Sequence, residues 1–115
     1  MLVQVNTDRH IVGHARLVTE IQETIGAALA RFAPQVTRIE VHLTDENADK
    51  TVGDDKRCVL EARLGGMKPV AVTHDAPSVV EAVDGALDRL TSLLDSELGK
   101  LREKKGRPSY GDIPS

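Results

Sequence analysis

The side chains that could bind anions are concentrated at one end of the chain. Residues 100–115 contain five basic and two acidic side chains, whereas residues 1–99 contain ten basic and sixteen acidic ones. A cluster of lysines and arginines attracts phosphate groups, so nucleic-acid binding is the first chemistry to consider. The basic side chains of this end are Lys100, Arg102, Lys104, Lys105 and Arg107.

Basic residues also recur at spacings that place them on common faces. A set with helical spacing predicts one polar stripe on the last helix, basic at both ends. Its members are Arg89, Ser92, Ser96, Lys100 and Lys104. A second set alternates along predicted strands and should share the outward sheet face, where Glu40 and Glu61 dilute its charge. Its members are Arg38, Arg57, Arg63 and His42, with Lys68 close by. A solvated surface, with cations that complement a helix dipole, is the alternative interpretation.

No residue pattern indicates an enzyme or a cofactor. Cys58 occupies an inward strand position, and Ser78 is better placed as a helix cap. Gly65-Gly66 is too short to hold a phosphate group. We therefore predict that the protein has no catalytic residues, no cofactor and no small-molecule substrate.

Metal binding is not predicted either. His10 and His14 have the spacing of two ligands on one helix face, but no carboxylate completes a set, so surface histidines are the preferred interpretation. The loop that begins at Asp45 resembles the start of a calcium loop. However, Lys50 and Lys56 stand where that loop needs glycine and glutamate.

Composition restricts the location of the protein and its mode of RNA recognition. Phe32 and Tyr110 are the only aromatic residues, which argues against a sheet that stacks single-stranded bases. No apolar run is long enough to cross a membrane, and the charged residues Asp8 and Arg9 argue against an export signal. The single cysteine excludes an internal disulfide. We expect a cytoplasmic protein without membrane contacts.

Hydrophobic periodicity predicts the order strand, helix, three strands, helix. The helices are expected at about 15–32 and 78–105, and three of the strands at 36–44, 57–64 and 67–74, with Gly65-Gly66 as a two-residue hairpin turn. A strand of about 20 Å would leave the basic end of the last helix projecting beyond the sheet. The predicted fold class is α+β: a four-stranded, mostly antiparallel sheet with two helices on one face. Residues 1–105 should form a single domain, followed by a mobile tail at 106–115.

Three segments carry a family resemblance: VTRIEVHLTDEN at 36–47, DDKRCVLEARLGGMKPVAVTHDA at 54–76, and EAVDGALDRLTSLLDSELGKL at 81–101. On these the chain resembles the short form of the ribosome hibernation promoting factor family, also described as ribosome-associated inhibitors or sigma-54 modulation proteins. The resemblance implies a β-α-β-β-β-α domain similar in shape to double-stranded RNA-binding domains. It also implies binding to the small ribosomal subunit in the channel for messenger and transfer RNA, which blocks translation under stress.

The resemblance assigns rRNA contacts to basic side chains, and the candidates are Arg57, Arg63, Arg89, Lys100, Arg102, Lys104 and Lys105. The sequence departs from the family on the last helix, where Ser92, Ser96 and Glu97 replace expected positive charge. Weak, salt-sensitive ribosome binding is therefore the expectation. The resemblance does not imply that this protein alone forms 100S ribosome dimers, because the chain lacks the C-terminal extension with which long family members pair ribosomes. Two alternatives stay open: a protein-interaction module on the same fold that has lost ribosome binding, and a weak homodimer.

Overall fold

The computed structural model describes residues 1–8, 11, 14–45 and 56–106, with side chains except those of His14 and residues 101–106. Its elements follow the predicted order. They are strand β1 (Leu2–Thr7), helix α1 (His14–Ala28), a short 3-10 helix (Ala30–Phe32), strands β2 (Val36–Asp45), β3 (Lys56–Leu64) and β4 (Val70–Ala76), and helix α2 (Val79–Gly106). His10, the acidic loop after Asp45 and the tail after Gly106 lie outside the described residues.

The four strands form one mixed sheet in the order β1-β2-β3-β4. β1 pairs with β2 in parallel, as a strand pair joined through a crossover helix must, and the other two pairs are antiparallel. This arrangement confirms the predicted fold class of a mostly antiparallel sheet with two helices. α1 packs against β1, and α2 packs against β3 and β4.

Alternation along the strands separates a buried face from an open one. Ile39, Val41, Cys58 and Leu60 point toward the helices and have no measurable exposure beside the fully buried Leu90 of α2. The other face of the sheet presents the charged residues of β2 and β3, as the period-two pattern predicts. The sheet therefore places its arginines and glutamates on one open face.

The first helix is shorter than predicted. A single helix to Phe32 was expected, but α1 ends at Ala28 and a 3-10 turn follows. The backbone N–H of Phe32 donates to the carbonyl of Leu29, a tighter spacing that brings both of these side chains into the core. Pro34 follows directly, and a proline cannot continue a helical hydrogen-bond pattern.

The β3–β4 connection also differs from the prediction. Gly65 and Gly66 do form the centre of a tight turn, in which Gly66 adopts a φ of 73°. Pairing, however, resumes only between Ala62 and Val70, so β4 begins three residues later than expected. Pro69 explains the delay, because it has no N–H to donate to a strand ladder.

β2 spans a greater distance than the roughly 20 Å assumed for a strand, which shortens the projection of α2. β2 has ten residues and spans roughly 33 Å, rather than the predicted 20 Å or so. α2 has 28 residues and a length of about 42 Å. The difference amounts to roughly two helical turns. The predicted overhang is therefore about half as long as the sequence suggested.

Two local contacts fix the start of α2 against the sheet. The backbone N–H of Glu81 donates to Ser78 Oγ at 3.2 Å, and the Ser78 hydroxyl donates to the Glu81 carboxylate at 3.1 Å. This is the helix cap predicted from the sequence. One turn later the ring of His74 packs directly on Gly85: a Cβ at residue 85 would lie 2.1 Å from His74 Cδ2. Glycine therefore permits this close approach of α2 to β4.

Candidate nucleic-acid interface

One end of the domain collects basic side chains from distant parts of the sequence. We call it the basic end, and it comprises the start of β2, the end of β3, the β3–β4 turn and the last third of α2. The N–H of Gly65 donates to the Gln35 carbonyl at 3.2 Å, which joins the turn to the start of β2. The cations of the basic end are Arg38, Arg63, Lys68 and Lys100, together with Arg102, Lys104 and Lys105 by their place on the helix.

A salt bridge fixes α2 at this end. The Arg31 guanidinium donates to both carboxylate oxygens of Asp95, at 2.7 and 3.0 Å, and lies over the ring of Phe32 at 4.1 Å. The hydrogen bond that Arg31 donates to Asp95 also raises the pKa of Arg31. Because the 3-10 helix directly precedes β2, this pair holds the later part of α2 beside the start of that strand.

The opposite end of the domain is acidic. The first three turns of α2 carry Glu81, Asp84 and Asp88, all exposed. Arg57, at the start of β3, donates to both oxygens of Asp75 at 2.9 and 3.2 Å. This bidentate contact lowers the pKa of Asp75, so the carboxylate stays ionised and neutralises the arginine. Arg57 is therefore paired with a carboxylate at the acidic end of the domain.

The predicted rRNA-binding residues do not share one surface. Arg63 lies on the open sheet face at the basic end, and Arg57 lies on the same face six residues away at the acidic end. Arg89 and Lys100 lie on α2, in the helical layer on the other side of the sheet. Arg89 forms no ion pair with any residue that the structure describes, whereas Lys100 approaches Glu97 at 3.7 Å. The side chains of Arg102, Lys104 and Lys105 lie outside the described residues.

Four charged side chains form a square on the open sheet face near the basic end. Arg38 of β2 is directly opposite Arg63 of β3, and in the next row Glu40 is directly opposite Glu61. Glu40 Oε2 lies 3.0 Å from Arg38 Nε and 3.9 Å from Arg63 Nε, and Glu61 Oε1 lies 3.5 Å from an Arg63 terminal nitrogen. Residues of like charge are directly opposite each other across the two strands. The attractive contacts are therefore those along each strand, Arg38 with Glu40 and Arg63 with Glu61, and the diagonal contact of Arg63 with Glu40.

Glu40 is the centre of this network. Its side chain is 18% exposed, and its second oxygen, Oε1, lies 3.6 Å from His42 Nε2. Arg38 also donates to Gln4 Oε1 from β1. The Arg38 Nε atom is nevertheless buried without an aligned hydrogen bond, so its contact with Glu40 is ionic only. Arg38 was not among the predicted rRNA contacts; its place opposite Arg63 depends on strand register, which alternation alone does not give.

No feature of the described residues forms a catalytic or metal centre. Burial raises the pKa of Cys58 to about 12, so this thiol stays protonated and is a poor nucleophile. Within the described ranges no group of three His, Cys, Asp or Glu side chains is arranged to hold a metal ion. None of the helices described is long and apolar enough to cross a membrane. The surface features that remain are the basic end and a shallow apolar groove between α1 and α2.

The architecture defines the class: a two-layer α+β domain with an open, charged sheet face. Solved structures of other proteins share this fold, among them the following two. The Thermus thermophilus Protein Y N-terminal domain is 21% identical, with a TM-score of 0.64 over 84% of this chain and 98% of that one. A ribosomal subunit interface protein from Coxiella burnetii is 14% identical, with a TM-score of 0.64 over 86% of this chain and 99% of that one. No protein of curated function matches the sequence.

The sequence itself gives the family. The profile of the sigma 54 modulation protein / S30EA ribosomal protein family matches residues 4–102, which include β2, β3 and β4, most of β1 and most of α2. The chain belongs to this family of ribosome-associated hibernation and modulation factors, as the resemblance of its β2, β3–β4 and α2 segments predicts. Membership in a family of ribosome-binding factors also agrees with the prediction that the protein is not an enzyme.

Proposed function

We propose that this protein binds the small ribosomal subunit, contacts rRNA in the channel for messenger and transfer RNA, and thereby inhibits translation while ribosomes are idle. The observation that carries the proposal is family membership over residues 4–102. The similar structure from Coxiella burnetii is that of a ribosomal subunit interface protein, which supports the same location for this chain. The mechanism is occupancy: a folded domain held on rRNA excludes the other ligands of the channel.

The basic end supplies the attraction in this proposal. Lysine and arginine side chains that neutralise phosphates release counterions, which makes the binding strongly dependent on salt. Five phosphate contacts would weaken binding roughly 500-fold between 50 and 200 mM monovalent salt. The acidic side chains in the first half of α2 repel phosphate, so we expect rRNA contacts on this helix to be made by its last turns. The strongest candidates for these contacts are Lys100, Lys104 and Lys105.

Co-sedimentation with 30S and 70S ribosomes tests the proposal. The protein should pellet with ribosomes at 50 mM salt and be largely released at 200 mM. Reversal of charge at Lys100, Lys104 and Lys105 should abolish pelleting. The matched control is Arg16→Glu: Arg16 is an 89% exposed cation on the first turn of α1, paired with Glu20, at the acidic end. The control should pellet like the parent protein.

A second candidate function is a protein-interaction module that has lost ribosome binding. The observation that favours it is the neutralisation of the sheet-face arginines, because Arg57 and Arg63 are both paired with carboxylates. This candidate predicts no pelleting at either salt concentration. Pelleting that survives the triple reversal would instead keep the ribosome proposal and discard the residue assignment on α2.

A further inference from the structure

The open sheet face contains two guanidinium groups that are positioned for the same anion. Arg38 and Arg63 are directly opposite on antiparallel strands, where Cβ atoms stand about 4.5–5.5 Å apart. Both extend toward one carboxylate oxygen, Glu40 Oε2, at 3.0 and 3.9 Å. Guanidinium groups form strong charge-assisted hydrogen bonds with phosphate oxygens as well as with carboxylates, so two of them around one oxyanion suit a phosphate group.

The contacts of Glu40 show that it is a replaceable occupant of this position. It approaches Arg38 Nε without an aligned hydrogen bond, and it is almost at the 4 Å limit of an ion pair with Arg63. The two arginine side chains are 38% and 49% exposed, so an anion in solvent can reach the exposed part of each side chain from the open face, while Arg38 Nε itself is buried. His42, 46% exposed, lies on the other side of the carboxylate, with Nε2 3.6 Å from Glu40 Oε1.

We propose that Arg38 and Arg63 form a phosphate clamp for the RNA backbone, which the carboxylate of Glu40 occupies in the free protein. The inference rests on the proposed function, since it assigns the clamp to rRNA. An incoming phosphodiester displaces Glu40 from both guanidiniums, and the cost of that displacement lowers affinity. Glu40 therefore sets the strength of RNA binding without contacting RNA itself.

The test measures binding of a fluorescein-labelled, 20-base-pair RNA duplex by fluorescence anisotropy. Glu40→Gln removes the competing charge and keeps the side-chain shape. With two phosphate contacts made available, affinity at 50 mM salt should rise about tenfold, and the advantage should largely disappear at 200 mM salt. Adding Arg63→Ala or Arg38→Ala to the Glu40→Gln protein should remove most of the gain.

A matched control separates the clamp from net charge. Asp88→Asn makes the same charge change at an exposed position on α2, in the helical layer away from the sheet face. It should raise affinity less than twofold. Glu61→Gln removes the shorter of the two carboxylate contacts of Arg63 and leaves the contact with Glu40. It should give an intermediate gain of about threefold, which keeps the test valid if the Glu40 variant does not fold.

The outcomes distinguish this inference from the proposed function. Equal gains in the Glu40 and Asp88 variants, or no gain in either glutamate variant, would overturn the clamp. Salt-sensitive pelleting with ribosomes in that case would leave the proposed function in place. If instead the Glu40 variant binds the duplex more tightly and no variant pellets with ribosomes, the clamp stands and the ribosomal target is wrong.

Discussion

The contact between His74 and Gly85 makes the substitution Gly85→Ala a stringent test of the packing of α2 on the sheet. A Cβ at residue 85 would lie 2.1 Å from His74 Cδ2 and 2.3 Å from Nε2, well inside any van der Waals distance. The ring must leave its position or α2 must move away from β4. In either case packed contacts are lost, at a cost of about 1–3 kcal/mol for an overfilled core.

The intrinsic helix preference of alanine acts in the opposite direction. Alanine in a helix interior is favoured over glycine by about 1 kcal/mol. The helix preference of alanine offsets part of the packing cost, so the two effects together predict a net destabilisation of up to about 2 kcal/mol. Urea unfolding followed by circular dichroism measures this change as a lower midpoint at constant slope.

The same substitution on the same helix provides the control. Gly99 has no atom within 4 Å of a Cβ built on it, so Gly99→Ala should stabilise the protein by about 0.5–1 kcal/mol. In a His74→Ala background, Gly85→Ala should also become stabilising, because the clashing ring is absent. A Gly85→Ala protein as stable as the Gly99→Ala protein would refute the close approach of α2 to β4.

Three further predictions concern ionisation, reactivity and the core. The pKa of Asp75 is lower in the folded protein than its ordinary value of 3.8, so its pair with Arg57 stabilises the fold fully above pH 3.8. This stabilisation is lost as the pH falls through the pKa that Asp75 has in the folded protein. Asp75→Asn should therefore flatten the pH dependence of the unfolding midpoint below about pH 4. Cys58, with its pKa raised to about 12, should react with iodoacetamide at pH 8 at less than about a thousandth of its rate in urea, and equal rates would contradict its burial. Leu94→Ala should cost about 2–5 kcal/mol in urea unfolding, because Leu94 is fully buried between α2 and the sheet; a loss below 1 kcal/mol would mean that the site is not tightly packed.

The sequence predicts the elements well because most of them obey a single local rule. The alternation of Ile39, Val41 and Leu43 gives both the extent of β2 and its buried face, and the same rule identifies β3. The departures occur where two local rules compete. Gly65-Gly66 favours an immediate turn, but Pro69 delays pairing, and the result is a longer connection.

The charge network on the open sheet face cannot be predicted from such local rules. Arg38 and Arg63 are 25 residues apart, and only the register of β2 against β3 places them opposite each other. A register shifted by one residue would have buried one of them, so their pairing follows from the fold as a whole. The same holds for Arg31 and Asp95, which join the 3-10 helix to α2 across 64 residues.

The attachment of α2 at two points has a consequence for its local unfolding. The contact at Gly85 and the salt bridge at Asp95 are ten residues apart, with the buried Leu90 between them. We expect amides in that interval to exchange their hydrogens more slowly than amides beyond Leu98, the last buried residue described on α2. A ligand bound at the last turns would slow this exchange there and leave the interval unchanged, so hydrogen exchange along α2 locates the occupied part of the helix directly.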